Sequence, residues 1–232
     1  MNLKIKNISL MILSAGYGKR LRPLTDTVPK PLIKIKNTTL LGNIINNTSF
    51  TEMIINIHYK SEIIKNYIRD KFPEKNIILS YEKKLLDTAG GVKNASKHIS
   101  NDFALVLNSD VFWSKMNFKE ILNSIQSLHK DTKCKLFLIE SKNAYGIDKV
   151  NGDFSIKNGK LERYNYNFPK LYYSGAQIIS LNFLKSYKKN IFSFNLIWDD
   201  LIKKNMLEGE IIKSKWYHVG DYKGLNIVKD LD

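Results

Sequence analysis

The sequence predicts an α/β fold: a mixed, mostly parallel sheet flanked by helices, with a smaller β-rich part packed against it. Three observations carry this. Apolar runs of strand length alternate with amphipathic stretches of helical length through residue 140, the pattern of βαβ units. A segment dense in glycine, proline and basic residues directly follows the first apolar run. Beyond residue 150 the segments shorten, and an Asn-Gly pair separates two of them, which suits a hairpin.

Taken in order, residues 8–14 read as the first buried strand and residues 39–49 as a helix with one apolar face. Residues 53–58 form a second buried strand, and residues 61–71 a helix capped by Ser61. A third strand spans 76–81, a short helix 90–98 and a fourth strand 103–107, running into Asn108-Ser109-Asp110. A helix over 118–129 and a fifth strand over 133–140 complete the alternation. In the second half, strands 153–156 and 160–164 flank Lys157-Asn158-Gly159. Then come a strand at 172–180, a helix at 195–204, a final strand at 210–216 and a closing helix at 222–230. No linker separates the halves. The expected organisation is one domain, 1–232, with a first part (1–140) and a dependent second part (141–232).

Composition narrows the function. No run reaches the roughly eighteen apolar residues of a membrane span, and residues 1–7 lack the apolar core of a signal peptide. The lone Cys134 suits a reducing cytoplasm. The net charge of +15 invites a nucleic-acid reading. The lysines are scattered rather than massed, however, and an anionic small molecule is a better use of local positive charge. Arginine placement says more. Four arginines stand against thirty-three lysines, and two of the four, Arg20 and Arg22, lie in the segment after strand one. Arginine offers planar, bidentate phosphate recognition that lysine lacks.

That segment runs from Leu13 through Ser14, Ala15, Gly16, Tyr17, Gly18, Lys19, Arg20, Leu21, Arg22, Pro23, Leu24 and Thr25 to Pro29, Lys30 and Pro31. Gly16 and Gly18 let the backbone turn and expose its N–H groups. The prolines fix φ and stiffen the loop. The third glycine of a dinucleotide fingerprint is absent, Leu21 holding its place, and so is the Gly-Lys-Ser/Thr ending of a Walker A loop. Four crowded cations, Lys19, Arg20, Arg22 and Lys30, suit a triphosphate.

The stretch resembles the G-x-G-x-R-L-x-P-L-T…P-K-P motif of sugar-1-phosphate nucleotidyltransferases. The resemblance implies a Rossmann-like, glycosyltransferase-A-type fold, whose first part binds nucleotide and whose second binds sugar. It also implies reaction of a nucleoside triphosphate with a sugar 1-phosphate, releasing pyrophosphate. By the same resemblance, Ala15, Gly16 and Gly18 would meet the nucleotide. Arg20 would hold the leaving phosphates, and Lys30 would bridge the phosphates of both substrates. Leu85-Leu86-Asp87-Thr88-Ala89-Gly90-Gly91 is similar to the family's base-binding loop, with Asp87, Thr88, Gly90 and Gly91 as candidates. Asn108-Ser109-Asp110 is similar to its metal-binding segment, Tyr173-Ser174-Gly175-Ala176 to its sugar-side strand, and Trp216-Tyr217-His218-Val219-Gly220 to its closing metal motif. Within the family, Asn56-x-His58-Tyr59, the Leu-Leu-Asp-Thr-x-Gly-Gly loop and Gly152-Asp153-Phe154 resemble N-acetylmuramate 1-phosphate uridylyltransferases of cell-wall sugar recycling.

Such a reaction needs no protein nucleophile and no strong base, because the attacking phosphate oxygen is already anionic. Catalysis is then positioning and charge neutralisation. Mg²⁺, or Mn²⁺ in its place, is the expected cofactor, with Asp110 as first ligand. His218 stands where wider relatives carry Asp. It has three readings: orienting a bound water or phosphate, ligating the metal directly, or a structural role. Asp221 is a further possible ligand. Asn108 belongs to the sugar side; Asp153 would meet sugar hydroxyls or orient Lys30, and Gly175 would let sugar approach the strand. His58 reads as structural, His98 and His129 as surface residues, and Trp113, Trp198 and Trp216 as core. The alternatives are a mannose- or heptose-1-phosphate guanylyltransferase and, from another class, a nucleotide-sugar binding protein without turnover. A monomer or homodimer is expected.

Overall fold

The computed structural model describes residues 7–231; the segment read for a leader lies, apart from Asn7, outside them. Strand β1 (Ile8–Leu13) is followed by the helical turn α1 (Leu24–Thr27), a small hairpin of β2 (Lys34–Ile35) and β3 (Thr38–Thr39), and helix α2 (Leu40–Asn47). Next come β4 (Met53–Ile57), α3 (Ser61–Lys71), β5 (Ile77–Tyr81), α4 (Asp87–Ala95) and β6 (Phe103–Asn108). A two-residue strand β7 (Val111–Phe112) leads to α5 (Lys115–Gln126), β8 (Cys134–Glu140) and β9 (Ala144–Tyr145). The second half holds β10 (Phe154–Lys157), β11 (Lys160–Arg163), β12 (Leu171–Ser180), α6 (Leu181–Lys185), α7 (Phe194–Lys203), β13 (Leu207–Ile212), β14 (Trp216–His218) and α8 (Tyr222–Lys229).

Nine strands form one sheet, in which β5, β4, β1 and β6 run parallel. Strand β12 enters antiparallel beside β6 and pairs on its other edge with β8, which carries β13 in parallel. The β10–β11 hairpin joins at the start of β12. The expected α/β architecture is therefore present, and strands from both halves share the sheet.

Strand β1 shows why it lies at the centre. Leu10 and Ile12 face the layer of α2, α3 and α5, while Met11 faces that of α4 and α7, and all three are fully buried. A strand covered on both faces reads as a continuous apolar run rather than an alternation. Each such side chain contributes about 1.5–3 kcal/mol by leaving water.

The structure shifts several expected boundaries. Thr39 caps α2, accepting from Gly42 N at 2.9 Å, and the β2–β3 hairpin before it has no clear sequence signal. Ser61 is the first residue of α3 rather than its cap; Lys60 takes the cap position in a left-handed conformation. Helix α5 starts at Lys115, three residues early, because Ser114 and Asn117 form a reciprocal capping box. The expected strand at 210–216 is two strands in two sheets. Glu120 of α5 makes the corner between them, accepting from Lys213 N, Ser214 N and Ser214 Oγ. The Asn-Gly hairpin is present, with Asn158 and Gly159 both at positive φ.

Candidate functional site

The site lies at the carboxyl ends of β1 and its two parallel neighbours. Leu13, the last residue of β1, stands in register with Asn56 on one side and Asn108 on the other. At this point connections leave in opposite directions, and open α/β sheets hold ligands in the resulting crevice. Two cavities open here, one of about 610 Å³ and one of about 330 Å³. They share a wall made by Leu13, Arg20, Thr88, Asn108 and Asp110.

Ala15, Gly16, Gly18, Lys19, Lys30 and Asp87 line the larger cavity together with that wall. Asp153, Gly175 and His218 line the smaller one. Three arginine- and lysine-bearing positions of the opening segment thus reach the cavities. The fourth, Arg22, does not: it pairs with Asp26 at 3.1 Å on the surface. The expected cluster of four cations is therefore one of three.

The segment is less a loop than a series of short turns. Gly18, at φ +65°, begins the turn Lys19–Leu21, and Thr25 Oγ1 donates to its carbonyl at 3.0 Å. A β-carbon at Gly18 would press on Thr25 and Lys30 at 3.0–3.1 Å. Leu21 is fully buried and accepts at its carbonyl from Tyr222 Oη of α8, while Tyr59 Oη donates to Thr25 O at 2.9 Å. Arg20 is thereby presented on an anchored turn, yet its own side chain is exposed and makes no hydrogen bond or ion pair among the described residues. Gly16 differs from Gly18. A β-carbon there would meet nothing within 4 Å, so the protein's own packing does not require glycine at this cavity-lining position.

Asp110 is the electrostatic centre. Lys30 Nζ lies 2.8 Å from its Oδ2, and His218 Nε2 lies 3.6 Å from the same oxygen. Burial by itself would raise the carboxyl pKa, but the Lys30 ammonium and the His218 imidazole outweigh it and hold Asp110 far below the usual carboxylate range. Its other oxygen, Oδ1, is buried and has no partner among the described residues; Ser14 Oγ, in the larger cavity, is likewise unpartnered. His218 arrives because β14 pairs with β7 in the register His218↔Val111, one residue from Asp110. Its imidazole stacks parallel to Trp216, and Gly220 packs so close that a β-carbon would sit 2.3 Å from His218 Cε1.

The other expected site residues fall into two groups. Gly175 has φ +85° at a bulge in β12, and a β-carbon there would press on Asn108 at 3.0 Å. Close strand packing and cavity access thus coincide at this glycine. Asp153 accepts from Tyr173 N at 3.0 Å and pairs with Lys149 at 2.8 Å. It does not orient Lys30, whose ammonium is on Asp110.

Gly90 and Gly91 line neither cavity. Of the expected base-binding loop, residues 87–91 belong to α4, which starts at Asp87, three residues before the helix expected at 90. Its glycines admit neighbours: Asn190 O would be 2.4 Å from a β-carbon at Gly90, and Glu82 Oε1 2.7 Å from one at Gly91. Asp221 also stands outside both cavities and caps α8 by accepting from Gly224 N at 3.0 Å. His58 is held between Glu82 O and Tyr17 Oη, as a structural histidine is. The tryptophans are buried, and each indole N–H donates within the protein: Trp113 to Asn108 O, Trp198 to Gln177 and Trp216 to Ser174 O.

Sequence reasoning missed Glu82, Ile191, Lys149 and Arg163. Glu82 is 2% exposed. Its oxygens accept from Asn56 Nδ2 and Leu86 N, while Asn56 Oδ1 accepts from Ser14 N. One buried carboxylate thus ties the start of the phosphate-side segment to the start of α4. A glutamate directly after an apolar strand was its only signal. Ile191 enters the larger cavity, and Lys149 and Arg163 enter the smaller, from a distant part of the chain.

Residues 9–228 match the model of the family described as nucleotidyl transferase. The mannose-1-phosphate guanyltransferase of Hypocrea jecorina is 33% identical over 145 residues, 59% of this chain and 39% of that protein. The chain therefore matches about two fifths of that relative's length. The N-acetylmuramate alpha-1-phosphate uridylyltransferase of Caulobacter vibrioides is 24% identical over 222 residues, 91% of each chain. In fold, the chain is similar to HddC from Yersinia pseudotuberculosis, with a TM-score of 0.74 at 21% identity over 96% of this chain and 98% of that one. On the family match, which spans nearly all the described residues, the chain belongs to the nucleotidyl transferase family.

Proposed function

We propose that the chain transfers a nucleoside monophosphate from a nucleoside triphosphate to a sugar 1-phosphate and releases pyrophosphate, with UTP and N-acetyl-α-muramic acid 1-phosphate as its substrates. The observation that carries the reading is the shared wall. Two cavities meet where Arg20 and Asp110 stand, with Lys30 bonded to Asp110. A triphosphate in the larger cavity and a sugar 1-phosphate in the smaller would bring their phosphates together there.

In the reaction, an anionic oxygen of the sugar 1-phosphate forms a bond to the α-phosphorus. The bond to the α–β bridging oxygen breaks, and pyrophosphate leaves with that electron pair. No proton has to move. Arg20, which has no competing partner among the described residues, neutralises the leaving phosphates. Lys30 turns from Asp110 to the phosphates of both substrates. Gly16 leaves its cavity open to close approach by phosphate. Removing any one such cation typically costs about 10²–10³ in rate.

Mg²⁺ fits this donor set. Asp110 Oδ1 is a buried carboxylate oxygen without a partner among the described residues, and Mg²⁺ takes one or two carboxylates with substrate phosphates completing its shell. Asp110 would hold the ion, with His218 beside it; among the described residues no group of three or more His, Cys, Asp or Glu converges. When bound, Mg²⁺ neutralises phosphate charge and orients the triphosphate, and Mn²⁺ serves the same end.

Support for the muramate substrate comes from the Caulobacter relative, alike over nearly its whole length. One rival pair, GTP with mannose 1-phosphate, is favoured by the likeness of the Hypocrea relative over 59% of this chain; GTP with a heptose 1-phosphate is a second rival. A pyrophosphate-release matrix of four nucleoside triphosphates against a panel of sugar 1-phosphates, in Mg²⁺ and in Mn²⁺, decides between them. Turnover confined to GTP with mannose 1-phosphate would remove the muramate reading and keep the transfer.

A further inference from the structure

One wall of the smaller cavity serves no step of nucleotidyl transfer. It holds Arg163, the last residue of β11 and one of only four arginines in the chain. Arg163 lines the smaller cavity alone, apart from the wall both cavities share. Its guanidinium lies over Phe154 at 4.9 Å and Trp198 at 5.6 Å. Its Nε donates to Asp199 Oδ1 at 2.7 Å and its Nη2 to Asn195 Oδ1 at 2.9 Å. Among the described residues, Nη1 makes no hydrogen bond.

These contacts make the guanidinium rigid without using it up. Two aromatic faces and two side-chain acceptors fix its plane, and the partner carboxylate of Asp199 is not in the cavity wall. The lining carries three full cations, Arg20, Lys149 and Arg163, against Asp110 and Asp153. A neutral sugar 1-phosphate brings its charge at one end, where Arg20 and Lys30 already stand. A held guanidinium elsewhere in the same cavity calls for a second anion on the sugar. With Nε on Asp199 and Nη2 on both Asn195 Oδ1 and Asn195 O, the N–H groups of Nη1 are left to meet a carboxylate oxygen.

We infer that Arg163 reads a carboxylate carried by the sugar, and so selects sugar 1-phosphates with an acidic substituent over neutral ones. This rests on the transfer reading proposed above. Asn195 and Asp199 are its positioning residues.

The test compares kcat/KM for N-acetylmuramic acid 1-phosphate and for its lactyl carboxamide, which keeps the shape and removes the charge, with the triphosphate that sustains turnover. A hydrogen bond to a charged group is worth roughly a tenfold to hundredfold preference. The wild type is expected to favour the acid by that factor, chiefly through KM. Arg163→Gln is expected to bring the ratio close to one, and Arg163→Lys to restore part of it. A wild-type ratio near one overturns the inference whatever the variants do, because that measurement does not depend on their folding. An unchanged ratio in folded Arg163→Gln also overturns it. Turnover with mannose 1-phosphate and not with the acid would overturn the inference and leave nucleotidyl transfer standing. No pyrophosphate from any pair would instead remove the transfer reading itself.

Discussion

Lys30 Nζ and Asp110 Oδ2 are 2.8 Å apart, eighty residues separated in sequence, with side chains only 12% and 24% exposed. The pair joins the segment after β1 to the end of β6. It also holds the Asp110 carboxyl in the charged form the proposed chemistry needs. Exposed pairs contribute little, but a half-buried pair loses much of its screening.

The pair has a pH signature. Because the folded-state pKa of Asp110 lies below its unfolded value, its contribution to stability is complete above about pH 4 and is lost as pH falls below that. Thermal unfolding of wild type and Asp110→Asn should therefore differ at about pH 5 and above, the variant melting lower. The gap should close only in stronger acid. Equal melting temperatures of the two proteins at about pH 5 would contradict the depressed pKa of Asp110.

Arg20 and Arg22 should behave oppositely despite lying two residues apart. Arg20→Ala removes from the shared wall a cation with no partner among the described residues, and kcat/KM is expected to fall by about 10²–10³ with the melting temperature almost unchanged. Arg22→Ala breaks only the exposed pair with Asp26 and should cost less than about 1 kcal/mol in stability. Steady-state pyrophosphate release and thermal unfolding of both variants check this.

The glycines make a second contrasting pair. Gly16→Ala has room for its β-carbon among the described residues. It should fold normally and raise the KM for nucleoside triphosphate by at least about tenfold, as a methyl-scale obstruction costs at least about 1–3 kcal/mol of binding. Gly91→Ala would set a methyl group 2.7 Å from Glu82 Oε1 and 2.8 Å from Asn56 Nδ2. Overpacking of that kind destabilises by about 1–3 kcal/mol, readable as a lowered urea midpoint.

Asp221 and His218 separate stability from activity. Asp221→Ala deletes the cap of α8 and should cost about 1 kcal/mol of stability with kcat retained. His218→Ala should lower kcat and alter the ratio of Mg²⁺- to Mn²⁺-supported rates, because the imidazole stands beside Asp110. Equal rate ratios in wild type and variant would assign His218 to structure alone.

The parts of this site legible in the sequence are those made by consecutive residues. Strand β1 announces itself because both its faces are covered. Gly18, Arg20 and Lys30 sit close enough in the chain for their chemistry to be read together. That Gly90 and Gly91 admit neighbouring protein atoms was not legible, because a glycine that admits a neighbour looks the same, in sequence, as one that admits a ligand. Arg163, Lys149 and Ile191 gave no signal, since only long-range pairing of β10 and β12 and the packing of residues 190–192 on α4 bring them to the cavities. The split of β13 from β14 was equally hidden, because Glu120, some ninety residues earlier, makes the corner.

The most direct test follows the label of the triphosphate. With UTP carrying ³²P at the α or γ position, N-acetylmuramic acid 1-phosphate and Mg²⁺, the account predicts α-label in a nucleotide sugar and γ-label in pyrophosphate, in equal amounts and only when the sugar phosphate is present. Release of γ-label as inorganic phosphate, or no transfer of α-label to any sugar 1-phosphate with any triphosphate, would contradict it.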